Sequence, residues 1–245
     1  MLFRTIRFAL QRMLRSYIGL FLLTVVPLCL ISVLGMVSGH VAGEEGQSIS
    51  SMTWLSVSFM ISFQLFGGAY TMSYMKEDFF TARKWRMYSL PYRAHVHASS
   101  LLIASMLFNV LQGLFIVLFT QWVYGVNWGN IGWVLLVILA VSLLSQLVCM
   151  ILVLTVRNFK IAERLSEVYG IGSMVFAGMI FPIPTTGFFD FMSTYGNPVS
   201  LGQNAIFGMI TGEEIDKMFL SIGLLFAASL VLALVATFVG RRKLG

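Results

Sequence analysis

Residues 94–156 read AHVHASSLLIASMLFNVLQGLFIVLFTQWVYGVNWGNIGWVLLVILAVSLLSQLVCMILVLTV, and none of them is Asp, Glu, Lys or Arg. A helix needs about 20 mostly apolar residues to cross a bilayer core about 30 Å thick, so this run is long enough for two crossings. The segment 125–130 is rich in Gly and Asn, which tolerate tight turns, and we expect the chain to reverse there. The run therefore predicts two antiparallel membrane-spanning helices, at 99–124 and 131–156.

The composition of the whole chain agrees with a membrane protein. Of the 245 residues, 58% are hydrophobic and 11% are charged, whereas a soluble domain carries about 25% charged residues. The mean hydropathy is +0.87. These values exclude a soluble enzyme, a disordered chain and a disulfide-stapled secreted domain. We predict an all-α polytopic membrane protein in which residues 1–245 form a single transmembrane domain.

Four further apolar segments bring the number of predicted membrane spans to six. The predicted spans are 17–38, 53–75, 99–124, 131–156, 165–181 and 218–240. The fifth is expected to end where Pro182 and Pro184 prevent a helix from continuing. With six spans, all Lys and Arg except Lys217 fall on the side of the two termini. The opposite side collects Glu44, Glu45, Asp190, Glu213, Glu214 and Asp216. The positive-inside rule therefore predicts a plasma (inner) membrane protein with both termini in the cytoplasm.

Residues 1–16 have the pattern of an amphipathic helix. One face of the helical wheel is apolar and the other is basic. The apolar face carries Leu2, Phe3, Ile6, Ala9, Leu10, Met13 and Leu14, and the basic face carries Arg4, Arg7, Gln11 and Arg15. The pattern predicts an interfacial helix on the cytoplasmic leaflet. A simple positive-inside anchor explains the arginines equally well, and the two interpretations are compatible.

The loop 76–93 is the largest predicted cytoplasmic piece. It begins acidic and continues basic and aromatic, an order that suits the helix dipole, so we expect Glu77–Tyr88 to be helical. Its large apolar residues are Phe79, Phe80, Trp85, Met87 and Tyr88. Aromatic residues and Arg anchor protein interfaces, which favours docking of a cytoplasmic partner over an amphipathic turn that rests on the membrane.

The segment 182–216 is too hydrophobic for an ordinary outer loop, and its Pro and Gly residues interrupt it too often for a span. Irregular backbone at membrane depth occurs only where protein buries it or where it lines a cavity. We expect short re-entrant or interfacial helices that cap the outer mouth of the bundle. Both a gate over a substrate path and a structural lid are consistent with this pattern.

Chemical groups that other functions need are missing from the predicted spans. No acid or base lies in the middle of a span, although ion-coupled carriers need ionisable groups there. Gln64, Asn109, Gln112 and Gln146 are uncharged polar residues of the kind that hydrogen-bond between helices. None of the lysines follows a glycine, so the sequence contains no P-loop for ATP. Energy for active transport must then come from another subunit.

In this order and spacing, these features resemble the permease subunit of an ABC exporter of the type-2 membrane-domain family (ABC-2 type transporter permease). The resemblance covers essentially the whole chain. Its marks are the amphipathic connecting helix Leu2–Arg15, the six spans, Ser89-Leu90-Pro91 after the second span, Ile180-Phe181-Pro182-Ile183-Pro184 after the fifth, and the basic tail 240–244. The residues before Ser89 are more aromatic and basic than the family's usual acidic-Gly-Thr run.

The resemblance implies partners and roles for individual residues. Two cytoplasmic ABC ATPase subunits would bind ATP and Mg, and a second permease chain, identical or homologous, would complete the membrane part. This chain would bind no cofactor, metal or nucleic acid and would be no enzyme itself. The residues implied in ATPase coupling are Glu77, Asp78, Phe79, Phe80, Arg83, Trp85 and Arg86. Those implied in the substrate path are Gln64, Phe66, Ser173, Met174 and Phe176, and those implied in an outer gate are Phe181, Pro182 and Pro184.

The function implied is ATP-driven export of an amphipathic or lipophilic molecule, such as a peptide antibiotic, a drug or a lipid, by alternating access. Such activity would place the chain in multidrug or antibiotic resistance. The alternatives are a channel or secondary carrier, a membrane-embedded enzyme, and a sensor or immunity protein without transport. A channel needs a charged or carbonyl-lined filter, and an enzyme needs clustered His, Asp, Glu or Cys at membrane depth.

Overall fold

The computed structural model describes residues 2–41, 49–85, 94–184 and 186–244, and the chain is helical without strands in these ranges. The helices are α1 (Leu2–Leu14), α2 (Tyr17–Leu20), α3 (Val26–Val41), α4 (Ser51–Phe66), α5 (Gly68–Phe79), α6 (Ala94–Tyr124), α7 (Ile131–Thr155), α8 (Phe159–Phe176), α9 (Gly187–Thr194), α10 (Pro198–Thr211) and α11 (Ile215–Leu244). A π-helical turn, Phe21–Val25, joins α2 to α3. The predicted all-α class is confirmed.

Five segments of the described chain are long and apolar enough to cross a membrane. They are Tyr17–Val37, Ser51–Phe79, Val96–Tyr124, Ile131–Thr155 and Ile215–Arg242. They match the predicted spans one to four and six. The turn expected at 125–130 is confirmed, since Gly125 and Gly129 adopt φ angles of 66° and 64°. Asn130 then caps α7, and its side-chain oxygen accepts a hydrogen bond from the Gly132 amide at 2.9 Å.

The predicted span 165–181 is not among these five segments. Its helix, α8, begins earlier, at Phe159, and therefore adds three charged residues, Lys160, Glu163 and Arg164, to the Glu167 that the predicted span already contained. It also ends earlier than expected, because Gly178 adopts a left-handed φ of 71°. The Gly178 amide donates to the Val175 carbonyl at 3.0 Å, and the Met179 amide donates to the Met174 carbonyl at 3.2 Å. This is a Schellman cap. A glycine, and not Pro182, ends the helix.

The centre of the bundle is α7, which packs against α4, α5, α6, α8, α10 and α11. Lipid tails are as apolar as leucine, so helices in a membrane associate through close packing and hydrogen bonds. Small residues allow that approach: Ser56, Ser58 and Ser62 of α4 are fully buried. On α10, a Cβ at Gly202 would lie 2.9 Å from Ile61 of α4. The second span therefore lies inside the bundle.

The second span consists of two helices, α4 and α5, which meet at Gly67 and Gly68. Neighbouring helices supply donors to the carbonyls at this junction. Asn109 of α6 donates to the Gln64 carbonyl at 3.3 Å, and Ser145 of α7 donates to the Leu65 carbonyl at 2.6 Å. Gly pairs and inserted side chains are the usual causes of helix discontinuities. Here the inserted donors satisfy backbone groups at membrane depth.

Polar side chains inside the spans link helices, as predicted. Gln112 donates to the carbonyl of Leu23 in the π-helical turn. Thr71 of α5 contacts Gln146 of α7 and Ser105 of α6, the latter at 2.9 Å. These contacts join four of the predicted spans, and they confirm the interhelical role expected for Asn109, Gln112 and Gln146.

The segment between α8 and α11 contains two helices of different burial. The side chains of α9 are mostly exposed, whereas α10 packs against α4, α7, α8 and α11. Asn197 caps α10 by accepting from the Val199 amide at 3.2 Å, and its amide group also donates to the Ser173 carbonyl of α8 at 2.6 Å. Asn197 therefore fixes the start of α10 to the end of α8.

Candidate functional site

Helix α1 lies along the beginning of α6. Ala9 and Met13 are buried against the bundle, whereas Phe3 and Phe8 are 79% and 68% exposed. The buried face is thus narrower than the predicted apolar face, which leaves apolar side chains of α1 available to lipid. The contact with α6 places the last turn of α1 beside the end of α5.

A cluster of ionisable side chains joins α1, α5 and α6 at this point. It consists of Arg12, Glu77, Asp78, Arg83 and His97, and we refer to it as the charge cluster. The Arg12 guanidinium contacts Glu77 and donates to both carboxylate oxygens of Asp78, at 3.0 and 3.1 Å. Arg83 donates to Glu77 at 3.0 Å. His97 Nε2 lies 2.9 Å from Asp78 Oδ2. Asp78 thus holds side chains from two other segments of the chain.

Aromatic residues enclose the charge cluster. The Arg12 guanidinium carbon lies 4.3 Å from the centroid of the Tyr74 ring, and the Tyr74 hydroxyl donates to the Arg12 carbonyl at 3.3 Å. The rings of Phe79 and His97 meet edge to face with centroids 5.7 Å apart. Asp78 is 4% exposed. A buried carboxylate is stable only when paired and hydrogen-bonded, and these residues meet that condition.

The predicted loop helix Glu77–Tyr88 does not begin at Glu77. Instead, α5 continues without interruption through Glu77 and Asp78, ends at Phe79 and is capped by Phe80. Acidic residues at a helix C-terminus oppose the helix dipole, but Arg12 and Arg83 compensate for them. Of the remaining predicted loop, residues 86–93 lie outside the described residues. They include Arg86 and the segment Ser89–Arg93.

The residues implied in ATPase coupling divide into two groups. Asp78 and Phe79 are buried, and they hold α5 in place. Phe80 and Trp85 are 53% and 69% exposed beyond the end of α5. The side chains of Glu77 and Arg83 are 45% and 56% exposed, and they pair with each other. A partner protein can contact Phe80 and Trp85 directly, whereas Asp78 and Phe79 are buried within this chain.

The residues implied in the substrate path are brought together only in part. A Cβ at Gly170 of α8 would lie 2.6 Å from the Phe66 ring, so α4 and α8 touch there. Ser173 is buried one turn further along α8, and Met174 and Phe176 are half-buried nearby. The Gln64 side chain points towards α6 and away from α8. A Cβ added at Gly113 of α6 would lie only 2.6 Å from Gln64 Nε2. Gln64 therefore belongs to the α4–α6 contact.

The three residues implied in an outer gate lie in non-helical chain after the α8 cap. Phe181 is 66% exposed, and Pro182 and Pro184 are also exposed. They are not packed within the bundle. Any gating contact they make would involve a group outside the described residues.

Most of the chain matches a known protein family. A family model described as ABC-2 type transporter matches residues 4–211, from α1 to the end of α10. The chain belongs to the ABC-2 type transporter family. No curated protein and no solved structure matches it. The family identifies the chain as a multi-pass permease component of an ABC transporter, which works with ABC ATPase subunits.

Sequence reasoning missed three residues of this ABC-2 permease that build or contact the charge cluster. Arg12 was assigned to neither face of α1, and Tyr74 was placed in a span without a role. His97 lies in the uncharged run 94–156 and was given no role. One signal was available: Glu77 and Asp78 need cations, and the arginines of residues 1–16 fall on the same predicted side of the membrane. That signal does not select Arg12 from the other arginines.

Proposed function

We propose that this chain is the membrane half of an ATP-driven exporter that moves an amphipathic or lipophilic molecule out of the cytoplasm or inner leaflet. Two permease chains and two ATPase subunits form the complex in a plasma (inner) membrane, with the permease termini in the cytoplasm. The observation that carries this proposal is the charge cluster, which joins three segments of the permease. It lies immediately beside the exposed aromatic residues Phe80 and Trp85.

In this mechanism, the ATPase subunit binds Phe80 and Trp85 and displaces the chain when ATP closes the ATPase dimer. Asp78 and Phe79 transmit the displacement to α5 because they are part of its last turn. Arg12 extends it to α1, and His97 extends it to α6. The Lys76 ammonium lies 3.9 Å from the Phe159 ring centroid and connects α5 to the start of α8. A displacement of the loop by the ATPase would thus be transmitted to α1, α5, α6 and α8.

The proposed substrate path runs along the α4–α8 side of the permease, where Phe66, Met174 and Phe176 provide an apolar surface. Apolar and Met-containing surfaces adapt to varied lipophilic ligands. We propose that α8 and residues 177–184 cross the membrane together as the predicted fifth span, which brings the number of spans to six. The 18 residues of α8 extend about 27 Å, and α8 packs against α4, α5 and α7. Residues 177–184, including Phe181, Pro182 and Pro184, then reach the outer surface and face the second permease.

Affinity purification of the tagged chain in mild detergent tests the assembly. Recovery of a P-loop ATPase at fixed stoichiometry, with a stimulated ATPase rate in reconstituted vesicles, is the expected result. Recovery of the permease alone, under conditions that preserve other membrane complexes, would contradict the proposal. ATP-dependent accumulation of a fluorescent lipophilic dye in inverted vesicles then distinguishes export from uptake, since export fills inverted vesicles.

The exposed aromatic pair is expected to provide ATPase affinity without supporting the fold. Truncation of a central aromatic anchor costs about 2 kcal/mol or more, so Trp85→Ala should weaken ATPase binding roughly 30-fold. Phe80→Ala should act in the same direction. Phe79→Ala should instead lower the melting temperature of the permease, because Phe79 is buried against the His97 ring. Binding of the purified ATPase and thermal unfolding separate the two effects.

Trp122→Ala is the matched control for this experiment. Trp122 is 83% exposed near the end of α6, and α6 begins on the side of the loop. We expect unchanged ATPase binding from Trp122→Ala. If Trp85→Ala and Phe80→Ala also bind the ATPase with unchanged affinity, the assignment of the docking surface is wrong.

A further inference from the structure

A groove of about 910 Å³ opens on the surface of the bundle between α6, α7 and α11. Residues 98–103 of α6 form one wall, residues 143–150 of α7 form the base, and residues 226–241 of α11 form the other wall. The groove lies apart from the α4–α8 contact. Its volume is within the range of about 300–1,000 Å³ that is usual for ligand sites.

The groove extends from the interior of the bundle to the end of the bundle at which α11 finishes. It uses the first turns of α6, the last turns of α7 and the last half of α11. From Phe226 to Arg241, α11 rises about 22 Å. Half of a bilayer hydrocarbon core is about 15 Å thick. The groove is therefore long enough to receive an acyl chain along its whole depth in one leaflet.

The polarity of the groove changes along its length. Its deep part is lined by Leu143, Leu147 and Phe226, and the hydroxyl of the buried Ser229 there donates to the Leu225 carbonyl at 2.8 Å. Ser99, Thr237 and Arg241 line the part near the end of α11, and all three are exposed. This order, apolar inside and cationic at the membrane edge, is that of a phospholipid with its phosphate at Arg241. Arginine binds phosphate through two parallel hydrogen bonds, and basic pockets between membrane helices hold anionic headgroups.

We propose that the groove between α6, α7 and α11 is a binding site for an anionic phospholipid, whose phosphate contacts Arg241 and whose acyl chains lie between α6 and α11. The site is separate from the proposed substrate path. Only its assignment to the cytoplasmic leaflet depends on the proposed orientation. Lipid in this groove would fix α11 to α6, since the direct contact between these helices is small.

The test compares phosphatidylglycerol with phosphatidylcholine on the full chain, purified with whatever ATPase accompanies it. Native mass spectrometry counts retained lipids, and thermal unfolding reports stabilisation by each added lipid. We expect tight retention of phosphatidylglycerol and weaker binding of phosphatidylcholine. A charge-assisted hydrogen bond contributes about 1.5–3 kcal/mol, so Arg241→Gln should weaken phosphatidylglycerol binding at least tenfold.

Matched variants distinguish the effect of changes in the groove on lipid binding from the effect of changes elsewhere on α11. Arg242→Gln removes an exposed charge that does not line the groove, and it should leave phosphatidylglycerol binding unchanged. Ala233→Phe fills the groove and should reduce the binding of both lipids. Ala227→Phe adds the same ring on another part of α11, where Ala227 is exposed and does not line the groove, and should have no effect.

Three results would overturn the proposal. The first is equal binding of the two lipids by the wild-type chain, as expected of ordinary surrounding lipid. The second is unchanged phosphatidylglycerol binding in both Arg241→Gln and Ala233→Phe. The third is a change in the number of permease chains per complex in Ala233→Phe without loss of lipid, which would make the groove a contact between permeases. ATPase co-purification is scored separately, so failure here leaves the exporter proposal standing.

Discussion

Arg12→Met is expected to release α1 from the bundle and to abolish transport. The substitution removes the guanidinium from Asp78, which is 4% exposed, and leaves a buried carboxylate with fewer partners. Breaking a buried ion pair costs about 3–5 kcal/mol. We expect a value near 3 kcal/mol, because the Arg12 side chain is itself 32% exposed. Thermal unfolding, together with hydrogen exchange of residues 2–14, measures the effect.

The second variant in this series, Arg12→Met combined with Asp78→Asn, separates stability from coupling. With the buried charge removed, the double variant should recover at least about 1 kcal/mol of the loss, since contacting residues are not additive. If the charge cluster transmits motion from the ATPase, transport stays impaired although stability returns. Recovery of both stability and transport would contradict the coupling role.

Arg7→Met is the matched control. Arg7 is on the same helix and is exposed, so its replacement should leave unfolding and transport close to wild type. Equal effects of Arg7→Met and Arg12→Met would mean that α1 is held by its charge alone. The specific pairing with Glu77 and Asp78 would then be incorrect.

Gly68→Val is expected to separate α5 from α7. A Cβ at Gly68 would lie 2.5 Å from Cys149 Sγ, 2.8 Å from Ser145 Oγ and 2.9 Å from the Ser145 carbonyl oxygen. A backbone oxygen cannot move aside unless α7 moves, and valine adds two further methyl groups. Overpacking of this kind costs about 1–3 kcal/mol, and we expect the upper end. The measurements are detergent-solubilised yield and melting temperature.

Gly223→Ala on α11 provides the comparison. No heavy atom lies within 4 Å of a Cβ at this position, so the added methyl meets open space. Alanine favours a helix over glycine by about 0.5–1 kcal/mol, and Gly223→Ala should match or slightly exceed wild-type stability. If Gly68→Val is tolerated as well as Gly223→Ala, the close approach of α5 and α7 is incorrect.

The spans that the sequence predicted correctly are those with strong local signals. The uncharged run 94–156 and its Gly- and Asn-rich turn define α6 and α7 without reference to any distant residue. The limits of α8 were harder to predict because its first half carries charges. In addition, Gly178 ends it before the more obvious signal at Pro182. The left-handed conformation of a single glycine depends on the surrounding hydrogen bonds, and composition alone does not reveal it.

The pairing within the charge cluster could not be predicted from the sequence alone. Arg12 and Asp78 are 66 positions apart, and one sequence gives no measure of which distant residues pair. The sequence predicts that Glu77 and Asp78 begin a loop helix, because acids usually favour a helix N-terminus. They lie at a C-terminus instead, where tertiary ion pairs outweigh the local preference. The loop location and its exposed aromatic residues were predictable, but the buried partners were not.

The junction at Gly67 and Gly68 gives the second span the geometry of a lever. Beyond the junction, α5 has 12 residues and is about 18 Å long. A rotation of roughly 10° about the junction therefore moves Phe79 by about 3 Å at that rise per residue, while α4 keeps its contacts with α10. Asn109 and Ser145 donate to backbone carbonyls beside the junction. A rotation of α5 about the junction moves these atoms least, so their hydrogen bonds lengthen little. A small angular change at mid-membrane thus becomes a displacement of atomic size at the loop.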